Sequence, residues 1–148
     1  MIHTDTLNAF SPYLIASATA YLVAEGIKII IMTSRRHEFR WREFFQTGGM
    51  PSSHSAVITA LTTAIGLLEG FGTTTFAIAG VLAAIVITDA THVRRAVGEQ
   101  GEVIKKIIGH DAKLQKPYFS RGHKPVEALV GGLIGLAVGI VVACLSVG

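Results

Sequence analysis

Two hydroxyls, a histidine and a set of small residues, Gly48-Gly49-Met50-Pro51-Ser52-Ser53-His54-Ser55-Ala56, stand where an apolar helix begins. Such a run can build an oxyanion site. Glycine lets backbone N–H groups approach a ligand, proline presets the turn, and the free N–H groups at a helix start favour a phosphate. Ser52 or Ser53 can cap the helix, with His54 within reach of the same anion. The same residues also read as a serine-capped helix start beside an incidental histidine, so groups elsewhere in the chain must decide.

Three further sets of residues bear on that choice. In His123-Lys124-Pro125-Val126-Glu127, the i, i+4 spacing can set Glu127 beside His123. A carboxylate holding one ring N–H leaves the other nitrogen free as nucleophile or base; taken alone, the pair is equally a helix-start contact. Lys28 and Arg35 are seven residues apart and share a helix face. They either present cations to an anion or snorkel to an interface, and Glu25 is one turn from Lys28 as a partner. Asp89, at the end of an apolar run, is followed by Arg94 and Arg95, and a salt bridge to one of the basic residues is the expected role, with metal binding or orienting a catalytic arginine as the alternatives.

The elements that carry these residues are apolar. With 148 residues, 50% hydrophobic and 16% charged, and a mean hydropathy of +0.51, the chain is too apolar and too short for an ordinary soluble enzyme. Four apolar runs, Pro12 to Thr33, Ser53 to Gly70, Thr73 to Ala90 and Pro125 to Val147, each approach the roughly 20 residues that cross a bilayer. All 13 Lys and Arg residues lie in two stretches, Lys28 to Arg42 and Arg94 to Lys124. If the four runs span, both basic stretches share one side, which the positive-inside bias makes cytoplasmic, with both termini outside. The end of the first helix, the start of the second, the end of the third and the start of the fourth then lie on one face. Every candidate residue lands there.

The expected fold class is all-α: an integral-membrane helical bundle of about four transmembrane helices plus one interfacial amphipathic helix, in a single domain over residues 1–148. The first helix starts at Ser11-Pro12. No basic residue precedes a short apolar core at the amino terminus, so no cleavable signal peptide is expected. Residues 39–45, with Arg40, Trp41 and Arg42 among phenylalanines, read as an interfacial anchor. Val93, Val97, Ile104, Ile107 and Ile108 recur near helical spacing and predict an amphipathic helix at the membrane surface, weakened by Gly98 and Gly101; residues 110–123 read as a loop. Gly131, Gly135 and Gly139 form a ridge that permits close helix packing, within the bundle or across a homodimer. The lone Cys144 excludes an intramolecular disulfide. The sequence pI of about 9.2 reflects membrane topology, and nucleic-acid binding is not expected.

Lys28-x6-Arg35, Pro51-Ser52-Ser53-His54 and His123-x3-Glu127, followed by Gly131 and Gly135, resemble diverged forms of the three signatures of the type-2 phosphatidic acid phosphatase and vanadium haloperoxidase superfamily. The fuller pattern, with Asp89, Val93-Arg94-Arg95 and Gln100, is similar to its divergent bacterial and plastid branch of acid phosphatase/vanadium-dependent haloperoxidase-related membrane proteins. There are departures: Arg36 replaces a proline, Ser53 a glycine and Glu127 an aspartate, and the third signature lacks its Ser-Arg pair. Arg94, Arg95 or Arg121 would have to supply that arginine's charge.

The resemblance implies a metal-independent mechanism with no cofactor. His123 is the nucleophile on phosphorus, Glu127 its orienting base and His54 the general acid. Lys28, Arg35, Gly49, Ser52, Ser53, Arg94 and Arg95 hold the phosphoryl oxygens, and Asp89 is a structural or site acid. The implied protein is a multi-pass phosphatase of the inner (plasma) membrane, acting on a phospholipid phosphomonoester, phosphatidylglycerophosphate- or phosphatidic-acid-like, at the cytoplasmic face. Its partners are that substrate and membrane lipids. The rival expectation is a non-catalytic membrane protein that binds or transports a phosphate-bearing lipid with the same pocket.

Overall fold

The computed structural model describes residues 11–36, 49–108 and 124–147, and of Arg35 and Arg36 the backbone alone. Five α-helices account for most of them: α1 (Pro12–Arg36), α2 (Ser53–Leu68), α3 (Thr74–Thr88), α4 (Arg94–Ile108) and α5 (Pro125–Val147), with one π-helical turn at Asp89–Val93. The spans Pro12–Ser34, Thr74–Ile108 and Pro125–Val147 are long and apolar enough to cross a membrane, and Ser53–Leu68 is a shorter apolar helix. The chain is thus a helical membrane bundle. The interfacial reading of residues 39–45 and the loop reading of residues 110–123 lie outside the described residues.

α1 starts as its sequence requires: the Ser11 carbonyl accepts from the N–H groups of Leu14 and Ile15 at 3.0 and 3.1 Å, with Pro12 in the first helical position, where no N–H is needed. α2 and α3 are joined by a tight turn. Gly70 takes φ +106°, and Thr73 caps α3 by accepting from the Phe76 N–H at 3.2 Å. Phe71 and Phe76 meet edge to face, with ring centroids 5.1 Å apart, directly over Gly66, where a Cβ would strike both rings.

The core is made of small residues at four-residue spacing. Ala16, Ala20 and Ala24 of α1 cluster with Ala56, Ala60 and Ala64 of α2 and with Val142 of α5, all seven buried. Along the same α2 residues, the α5 ridge Gly131, Gly135 and Gly139 packs against backbone. A Cβ at Gly131 would collide with the Ser52 carbonyl and one at Gly135 with the Ala56 carbonyl, and at Gly139 it would lie 2.8 Å from the Ala60 carbonyl oxygen. The pairing 131 with 52, 135 with 56 and 139 with 60 makes α2 and α5 parallel and in register. Without a hydrophobic drive between helices in lipid, this close approach supplies the dispersion contact that holds them together. Of the two readings of the glycine ridge, the structure shows packing within the bundle.

The third span departs from the expected break. α3, the π turn and α4 form one helix of 35 residues, Thr74–Ile108, about 52 Å at 1.5 Å per residue against a hydrocarbon core of about 30 Å. At the junction the Arg94 N–H bonds to the Asp89 carbonyl, an i to i+5 step that absorbs one residue without ending the helix. The amphipathic helix expected near residues 93–108 is present, as a continuation of the span. Gly98 and Gly101 are buried within it and do not interrupt it.

Candidate functional site

Three interactions fix which helix ends meet. Tyr13, at the start of α1, lies close enough to Glu69, just past the end of α2, for their side chains to interact, so these helices are antiparallel. Fifteen residues onward in α1 is Lys28, and fifteen back from Glu69 is His54, each about 22 Å along its helix. The Thr62 hydroxyl donates to the Ala79 carbonyl at 3.3 Å, so α2 and α3 are also antiparallel. Ten residues back from Thr62 is Ser52, and ten onward from Ala79 is Asp89. Finally, the Ser52 N–H donates to the Glu127 carbonyl at 3.0 Å, joining the start of α2 to the first turn of α5. Lys28, Ser52 to His54, Asp89 and Glu127 therefore share one end of the bundle.

The second signature is built around Ser52. Its side chain caps α2, accepting from the Ser55 N–H at 3.4 Å and from the Ser55 hydroxyl at 3.2 Å, and it is fully buried. Ser52 thus has its amide and its hydroxyl engaged in holding the helix start. Ser53 is buried beside it, His54 is exposed and takes part in an interaction of its own, and Gly49 is exposed with φ +96° and open space around its Cα. Only a glycine adopts that backbone without strain.

The third signature begins at a capped helix. The Glu127 carboxylate turns back to accept from the Lys124 N–H at 3.0 Å through Oε2, the reach of a glutamate at the third helical position to its cap. α5 starts at Pro125, and Glu127 takes part in a further interaction besides this cap; the expected pairing with His123 involves a residue outside the described ones. His123 itself, with Arg121, lies outside the described residues. Arg35 lies in the last turn of α1, its side chain outside the described residues.

The cations are held by acids. Lys28 Nζ donates to Glu25 Oε1 at 2.6 Å, both side chains under a tenth exposed, and Glu25 Oε2 is buried without a partner. Asp89 receives Arg94 Nε at 3.0 Å, the salt bridge expected of an acid there. Arg95 Nε reaches Glu99 Oε1 at 2.9 Å on the exposed face of α4. Among the described residues, no three of His, Cys, Asp and Glu are grouped to hold a metal ion.

The comparisons with known proteins bear on this arrangement. A family model described as "Divergent PAP2 family" matches residues 10–138. The chain belongs to the divergent PAP2 family. The matched residues run from just before α1 to within α5 and include every candidate named above. A relative from Bacillus subtilis (strain 168), the "Uncharacterized membrane protein YuiD", is 36% identical over 146 residues, covering 88% of this chain and 92% of the relative. No solved structure matches.

One residue at this end of the divergent PAP2 bundle escaped the sequence reading. His92 sits in the π turn, exposed, with Nδ1 2.9 Å from the Thr91 hydroxyl oxygen. Thr91 donates its own proton to the Ile87 carbonyl at 2.8 Å, which ties the His92 ring to the π turn through the Thr91 hydroxyl. Only the helix register given by Thr62 and Ala79 puts His92 at the site end; its neighbours in sequence carry no sign of it.

Proposed function

We propose that this protein is an integral-membrane phosphatase that releases phosphate from a lipid phosphomonoester, phosphatidylglycerophosphate- or phosphatidic-acid-like, at the cytoplasmic face. The observation that carries the reading is the Ser52 to Glu127 backbone bond, which joins the starts of the second and third signature helices at the end of the bundle where Lys28 also lies. In this reading the His123 ring nitrogen forms a bond to phosphorus as the bond to the lipid oxygen breaks, and His54 gives that oxygen its proton. Water then cleaves the phosphohistidine. Lys28, Arg35, Gly49 and Ser53 hold the equatorial oxygens, Ser52 fixes the helix start beneath them, and Arg94 and Arg95 add positive charge. Phosphoryl transfer asks chiefly for such positioning and charge stabilisation.

The test is phosphate release from lipid phosphomonoesters in detergent micelles by purified protein. His54→Ala and His123→Ala should each abolish release while the protein stays folded; turnover at the wild-type rate in both removes the mechanism.

A second reading, binding or transport of a phosphate-bearing lipid without hydrolysis, is favoured by one observation: Lys28, Arg94 and Arg95 are already paired with Glu25, Asp89 and Glu99. It predicts saturable lipid binding with no inorganic phosphate formed.

A further inference from the structure

Glu25 Oε2 is the one buried side-chain polar atom without a hydrogen-bond partner among the described residues. It belongs to an ion pair sunk in a membrane-spanning helix, and as a source of stability alone that pair is poor. Burying two charges is repaid only when their remaining lone pairs and protons are also satisfied. Here one carboxylate oxygen receives nothing, and of the three donors on the ammonium Glu25 Oε1 takes one.

The pair's position explains it better. Lys28 is the next four-residue step after Ala16, Ala20 and Ala24, so it lies on the face of α1 that clusters with α2. Its register puts it level with His54, whereas a lysine so near a helix end ordinarily extends its stem outward to water. Its side chain is 7% exposed.

We propose that Glu25 is the positioning residue of the anion site. It keeps the Lys28 ammonium drawn in at the depth of the α2 start, with its spare N–H groups available to a phosphoryl oxygen. This rests on the phosphatase reading above and adds to it a residue outside all three signatures. Glu25 acts through Lys28 and does not touch the substrate.

The experiment measures orthovanadate inhibition and kcat and KM for a lipid phosphomonoester in wild type, Glu25→Gln, Glu25→Asp, Lys28→Met and Glu25→Gln/Lys28→Met. Glu25→Gln should weaken orthovanadate binding roughly tenfold, the size of one charge-assisted hydrogen bond, and Lys28→Met about as much. The double variant should be no weaker than Lys28→Met, and Glu25→Asp should recover most of the loss. Orthovanadate binding by Glu25→Gln equal to wild type, or losses that multiply in the double variant, overturns the proposal. If Glu25→Gln does not fold, the charge-free pair Glu25→Leu/Lys28→Met replaces it and should bind as Lys28→Met does; a further loss in that pair is equally contrary. Wild-type protein that neither releases phosphate nor binds orthovanadate overturns the phosphatase reading and this proposal together. An active wild type with an indifferent Glu25→Gln overturns this proposal alone.

Discussion

The amide of Ser52 donates to the carbonyl of Glu127 at 3.0 Å, so the starts of two parallel helices are held in register by a backbone bond that no substitution short of Ser52→Pro removes directly. What a substitution can do is push the helices apart. Gly135→Ala puts a methyl group into the Ala56 carbonyl and should lower stability by about 1–3 kcal/mol, the range for overpacking a close contact. It should also reduce activity, because the Ser52 to Glu127 register shifts with it. Gly132→Ala is the control: its Cβ would lie 3.7 Å from the Thr59 hydroxyl oxygen, ordinary contact, and helix propensity favours it by up to about 1 kcal/mol. Thermal unfolding in detergent distinguishes the two.

Ser52→Ala removes the α2 cap and should destabilise by about 1 kcal/mol. Because the hydroxyl is buried and engaged with Ser55, KM for the lipid phosphate should move by less than about threefold, under 1 kcal/mol of binding. A large KM effect with unchanged stability would make Ser52 a direct anion ligand instead.

Asp89 and Arg94 are each close to half exposed, so their pair contributes little. Asp89→Asn should change stability by less than about 1 kcal/mol. Arg94→Ala should raise KM more than Asp89→Asn does, since it removes a cation and the other change frees one. Equal KM values in both variants would take Arg94 out of the site.

A histidine mechanism without a metal predicts that dialysis against EDTA leaves phosphate release unchanged, and that orthovanadate inhibits competitively. Loss of activity in EDTA with recovery on adding a divalent cation would contradict it.

The sequence made the helices and several of their partners legible because each was a local signal. The last run, Pro125 to Val147, is α5 to the residue, and Ser11-Pro12 starts α1 as a cap and first-turn proline should. Glu25 with Lys28 and Asp89 with Arg94 follow from the need of a charge in an apolar run for a near neighbour. The glycine ridge declared close packing but not its partner, which is the backbone of α2, and backbone carries no sequence signature. The alanine ridges at 16, 20 and 24 and at 56, 60 and 64 were invisible as a core, because alanine in a membrane helix reads as filler. The continuity of α3 with α4 was hidden by a change in composition: Gly98 and Gly101 suggested weakness, and nothing in Asp89 to Val93 announces a π turn. At the site, the convergence of helix ends was legible from topology, whereas the cap that turns Glu127 back towards Lys124 required the actual start of α5.

A structure of the protein with orthovanadate bound tests the central claim most directly, that separate helix ends build one oxyanion site. The account predicts one vanadate flanked by the His54 and His123 rings, with the Lys28 ammonium on one of its oxygens and Glu25 still beside Lys28. Vanadate bound away from the α2 start, or the two rings too far apart to touch a shared ion, would contradict it.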